Sequence, residues 1–123
     1  MKKLISRQTH GVADYSYATL FAAAPELVGF TDEEIAARLS RVVGGGVALT
    51  SLLTRYELGL IRVLPFKAHL AADVAVGLLT LAAPFAFGFS SNKRARNFFV
   101  GMGAFSILAG LLTEPKEMGE REK

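Results

Sequence analysis

Charged and apolar residues are segregated along this chain. No Asp, Glu, Lys or Arg occurs from Val74 to Asn92, from Asn97 to Thr113, or over the shorter stretch from Val42 to Thr54. Tyr15 to Thr31 is broken only by Glu26. Charged segments separate these stretches: the first seven residues, Asp32 to Arg41, Arg55 to Lys67, Lys93 to Arg96, and the tail after Thr113. A helix that crosses a bilayer needs roughly 20 mainly apolar residues. The stretches from Val74 to Asn92 and from Asn97 to Thr113 meet that length alone. Those from Tyr15 to Thr31 and from Val42 to Thr54 meet it once flanking polar side chains extend to the headgroups. The pattern therefore predicts an all-α protein, a bundle of four transmembrane helices. A soluble bundle needs a polar face on each helix, and Val74 to Phe89 offers almost none.

The pattern also repeats. Displacing the sequence by 59 residues aligns its halves without a gap, with 15 of 45 paired positions identical. His10 falls on His69, Asp14 on Asp73, Pro25 on Pro84, Gly29-Phe30 on Gly88-Phe89, Gly44 on Gly103, and Leu52-Leu53-Thr54 on Leu111-Leu112-Thr113. Alanine and leucine matches are cheap in such a composition; matched His, Asp, Pro and Thr are not. The chain reads as one membrane domain of two tandem helical hairpins, about 8–57 and 67–116, followed by a polar tail over 114–123. A proline inside a helix removes a hydrogen bond and clashes with the preceding turn, so Pro25 and Pro84 are expected to kink or end the first helix of each unit. The Gly-Phe that follows suits an exit turn with an interfacial aromatic anchor. Glycines 44, 45, 46, 101 and 103 suit close helix approach inside a membrane. Each unit crosses twice, so the pseudo-twofold axis should run along the membrane normal.

Charge sets the orientation. Lys2, Lys3, Arg7, Arg55, Arg62, Lys67, Lys116, Arg121 and Lys123 fall on the side of the termini and central loop, against Arg38, Arg41, Lys93, Arg94 and Arg96 on the other. The positive-inside tendency then puts both termini in the cytoplasm. The net charge of +3 is scattered through separated loops without interleaved aromatics, which argues against a nucleic-acid partner. Cysteine is absent, so thiolate metal sites and disulfides are excluded.

The motifs Ala23-Ala24-Pro25-Glu26-Leu27-Val28-Gly29-Phe30 and Ala82-Ala83-Pro84-Phe85-Ala86-Phe87-Gly88-Phe89 resemble the core of the SPW-repeat family, small bacterial and archaeal membrane proteins. The paired His-x-x-x-Asp starts and the linker Thr54-Arg55-Tyr56-Glu57-Leu58-Gly59 resemble it as well. In place of Ser-Pro-Trp the chain carries Ala24-Pro25-Glu26 and Ala83-Pro84-Phe85. The resemblance implies four spans in a prokaryotic cytoplasmic membrane, and no particular activity.

Candidate chemistry rests on His10, Asp14, His69 and Asp73. In each unit the two residues stand four apart, on one helix face, and duplication places both pairs at one depth. Ionisable groups inside a membrane are costly and mark functional candidates. Three readings stand open: a structural His–Asp network, a divalent metal site of two His and two Asp suited to zinc or manganese, and a haem or other tetrapyrrole held axially by His10 and His69. The hydroxyls of Thr54 and Thr113 either bond a helix carbonyl or support the His–Asp pairs. Glu26, paired with Phe85 in the other repeat, is expected to reach toward the interface, and Arg38 and Arg41 to anchor there. No nucleophile elbow or phosphate-cradling loop supports an enzyme. The expected role is a structural or accessory subunit of a membrane assembly, with the bilayer, other subunits or further copies of itself as partners; the alternative is a metal- or tetrapyrrole-binding membrane protein.

Overall fold

The computed structural model describes residues 3–119 as four helices: α1 (Arg7–Ala24), α2 (Glu34–Leu52), α3 (Phe66–Ala86) and α4 (Lys93–Leu112), with a π-helical turn at Pro25–Gly29 continuing α1. Of the basic residues used for orientation, Lys2, Arg121 and Lys123 lie outside the described residues. α3 and α4 are each long and apolar enough to cross a membrane. α1 and α2 are nearly as long, at 18 and 19 residues. Large apolar side chains face outward, with Leu79 and Leu27 at least 70% exposed. His10, Asp14, Ser40, Ser51, Thr54, His69, Thr80 and Thr113 are buried. Polar groups inside and hydrocarbon outside is the arrangement a lipid solvent selects.

α1 packs on α2 and α3 on α4 as two hairpins. Small residues set each crossing. A Cβ on Gly44 would stand 2.7 Å from the Ala22 backbone nitrogen and 2.8 Å from the Ala18 oxygen; one on Gly103 would meet the Gly77 oxygen and the Leu81 nitrogen at 2.7 Å. Ala18 and Gly77 are themselves repeat-equivalent, so one crossing has been copied. The other expected glycines differ: a Cβ on Gly45, Gly46 or Gly101 meets nothing within 4 Å. Gly45 and Gly101 face outward, and Gly46 borders open space beside α3, each one or two residues round the helix from the crossing.

The prolines end the first helices in two ways. Pro25 gives way to the π turn, and Ser40 donates to the Phe21 carbonyl that Pro25 cannot serve. Pro84 sits within the last turn of α3, which runs on to Ala86. Both exits use a left-handed glycine, Gly29 at φ 91° and Gly88 at φ 77°, a conformation open to glycine without steric cost. Phe30 and Phe89 after them are not interfacial anchors: each is 1% exposed, packed with Phe21 and Phe99 in an aromatic core at this end of the bundle. Glu26 does not stand alone, since Arg41 reaches both its carboxylate and the Ala22 carbonyl.

The opposite end closes cyclically. Ile5 bridges Thr113 as Leu64 bridges Thr54, and these four positions correspond under the 59-residue shift. The end of each hairpin thus ties to the start of the other. Over this end lies the linker, with Tyr56 fully buried against Phe66.

Gly44→Ala or Gly103→Ala should destabilise the fold by about 1–3 kcal/mol through backbone overpacking. Gly45→Ala and Gly101→Ala should be neutral or slightly stabilising. Thermal unfolding in detergent separates the two pairs; equal effects at all four positions would contradict these crossings.

Candidate functional site

His10 is the fourth residue of α1 and His69 the fourth of α3, so both rings start one turn inside the bundle at the end where the hairpins are tied. The Asp residues follow one turn deeper. The sequence places His10 with Asp14 and His69 with Asp73, and the structure brings all four together at the pseudo-twofold axis. Their closest contacts cross between repeats. His10 Nε2 lies 2.7 Å from Asp73 Oδ2 and 3.2 Å from Asp14 Oδ1; His69 Nε2 lies 3.0 Å from Asp14 Oδ2 and 3.3 Å from Asp73 Oδ2. The two rings meet edge to face at 5.4 Å, each 1% exposed.

Thr54 and Thr113 do both things expected of them. Each hydroxyl donates to the carbonyl four residues back, Thr50 for Thr54 and Ala109 for Thr113. Each also lies 2.7 Å from a histidine Nδ1, Thr54 from His69 and Thr113 from His10. A hydroxyl has one hydrogen. Since that hydrogen goes to the carbonyl, the histidine must donate, and Nδ1 carries a proton in both rings. Both Nε2 atoms then face the carboxylates. With neutral rings the four groups hold two negative charges, which two further protons or one divalent cation would balance. Among the described residues, Nε2 of His69 completes no hydrogen bond despite its burial.

Sequence reasoning missed Tyr56. It donates to Asp14 Oδ2 at 2.9 Å, and burial pushes its hydroxyl above the ordinary tyrosine range, so it stays a donor. Its repeat-equivalent position is Pro115, so no periodic signal marks it. The linker motif was visible, but nothing in it says that the chain folds back over the axis. Beside it, Arg7 forms a two-pronged pair with Glu57 and holds that carboxyl below its usual range. Glu117 accepts from the Phe66 and Lys67 amides at the start of α3. Together these contacts fix the lid. Pro25, Pro84, Gly44 and Gly103 lie away from the centre and serve the helix path and crossings.

The folded chain is a membrane protein of duplicated helical hairpins with a shared polar centre. The SPW repeat domain matches residues 8–113, and the chain belongs to that family. No curated protein and no solved structure matches it.

Thr113→Val removes the acceptor of a buried Nδ1–H and should cost about 1–3 kcal/mol, whereas Thr113→Ser should cost much less. Thr54 should behave alike. Unfolding curves that rank Val and Ser equally would rule out this hydrogen bond.

Proposed function

We propose that this protein is an accessory membrane protein that binds one divalent transition-metal ion through His10, Asp14, His69 and Asp73, in a prokaryotic cytoplasmic membrane with both termini cytoplasmic. One observation carries the reading: one ligand atom from each of the four residues lies within 4.8 Å of all the others, and both rings are oriented by threonine to face inward. Four ligands about 2.1 Å from a tetrahedral ion stand roughly 3.4 Å apart, so the His–Asp pairs, now at 2.7–3.3 Å, must open slightly while any wider pair, none beyond 4.8 Å, closes. A ligating histidine commonly donates its other N–H to a fixed acceptor, which orients the ring; the two threonines are such acceptors. Two imidazoles and two carboxylates suit zinc or manganese and would hold it without net charge in a low-dielectric interior.

A tetrapyrrole between His10 and His69 fits less well. Both Nε2 atoms converge on one oxygen, Asp73 Oδ2, and a planar macrocycle there would have to expel the carboxylates. Lys3, Arg7, Arg55, Arg62, Lys67 and Lys116 lie on the side of the termini and central loop, which supports the orientation. The exposed apolar flanks supply a surface for lipid or further subunits.

Metal analysis of detergent-purified protein after zinc loading should give one ion per chain. Asp14→Asn with Asp73→Asn should abolish it while circular dichroism stays helical. Thr54→Val should weaken binding about ten- to a hundredfold, and affinity should rise with pH because ligands must shed protons. A folded, metal-free wild-type protein across zinc and manganese would leave the centre as a structural charge network.

A further inference from the structure

A cavity of about 480 Å³ adjoins the centre, lined mostly by α2 and α3. Divergence of the two repeats explains it. Between α1 and α4 the contact is filled by Tyr17, Phe21, Phe98 and Met102, with Phe21 edge-on to Phe98. The equivalent positions between α3 and α2 carry Val76, Thr80, Leu39 and Val43. Smaller side chains at the copied positions leave the volume open. Its mouth faces the bilayer, where Val42 and Leu79 are exposed, and its inner end reaches Asp14, His69 and Asp73.

Inside, acceptors outnumber donors. Ser106, Tyr17 and Thr50 line the cavity and already donate to backbone carbonyls. No Lys or Arg lines it. Both histidines reach Asp73 through Oδ2, which leaves Oδ1 outside the ring of contacts. The Thr80 side chain, in a residue only 3% exposed, makes no hydrogen bond among the described residues. Pro84 has no N–H to offer the Thr80 carbonyl. Thr80 lies two helical turns beyond Asp73, roughly 10 Å along α3. The wall between them is apolar and aromatic, with Tyr17, Phe99 and Phe105 on it.

Such a volume lies in the range of small-molecule sites, which are mostly apolar with a few fixed polar groups. A ligand entering from lipid must be apolar and bring a hydrogen-bond donor for Asp73. A ligand charge would stand uncompensated once protons or an ion balance the centre, and desolvating it is costly. We propose that this cavity binds an uncharged, membrane-soluble phenol, its hydroxyl donating to Asp73 and its ring against Tyr17, Phe99 and Phe105, with Thr80 meeting a more distant polar substituent. The inference goes beyond metal binding and requires no ion in the centre.

The test uses the full chain in lipid nanodiscs, titrated calorimetrically with 4-phenylphenol, its methyl ether and biphenyl-4-methylamine, with empty nanodiscs subtracted. The phenol should saturate at one per chain, and the ether, lacking the donor, should bind at least about tenfold more weakly. Asp73→Asn should erase most of that preference. Gly46 lines the cavity, a Cβ there meets nothing, and its repeat-equivalent is Phe105; Gly46→Phe should block the phenol and leave zinc stoichiometry unchanged. Ether binding as tight as phenol, a preference for the amine, or phenol binding undisturbed by Gly46→Phe would each overturn the proposal. Saturable, donor-dependent phenol binding in a protein that holds no zinc would support the cavity and overturn the metal reading alone.

Discussion

The cross-pairing of His10 with Asp73 and of His69 with Asp14 is the constraint on which the rest of the molecule depends. Four ionisable groups in a hydrocarbon-facing bundle are tolerable only if each is partnered. The short contacts join different repeats, so one hairpin alone leaves its aspartate without its nearest histidine. Helix tilt and depth follow from that requirement. α1 and α3 must begin at the same level, and the ends of α2 and α4 must arrive where Thr54 and Thr113 can accept from the rings. The two bridges that tie each hairpin's end to the other's start hold that level.

Packing supports this polar centre from the other end. Little hydrophobic drive remains between helices once lipid replaces water, so close contact and internal hydrogen bonding must carry association. The Gly44 and Gly103 crossings bring the backbones together inside each hairpin, and the phenylalanine core around Phe21 and Phe99 joins the hairpins beyond the charged layer. An apolar floor lies beneath the ionic layer and a tyrosine lid above it. That sandwich keeps the dielectric low and makes each missing partner expensive.

Much of this was legible in the sequence, for identifiable reasons. A charge-free run from Val74 to Asn92 has few explanations besides a span, and the duplication of His, Asp and Thr by itself places those groups at one depth. What the sequence hid was convergence. Spacing puts Asp14 on the face of His10, but only the meeting of the two hairpins at the axis makes Asp73 the nearer partner. Periodicity is equally silent on glycine roles: Gly44, Gly45 and Gly46 are adjacent, yet Gly44 touches a helix, Gly45 meets nothing and Gly46 borders the cavity. Phe30 and Phe89 misled because an aromatic after an exit glycine is common both at interfaces and in cores. Their burial depends on how far the turn folds inward, which composition does not encode.

Duplication in one chain also permits what a symmetric dimer of single hairpins forbids. In such a dimer the two aspartates would have identical surroundings. Here the linker delivers Tyr56 to Asp14, while the equivalent position is Pro115, so Asp73 receives no tyrosine. Phe21 fills one flank of the axis, and its counterpart Thr80 leaves the other open. Both aspartates border the cavity, and Asp73 is the one that meets it without a tyrosine donor. The repeats keep the four charged residues identical where mutual balance demands it and diverge in the residues that decide which carboxylate can meet a molecule from the bilayer.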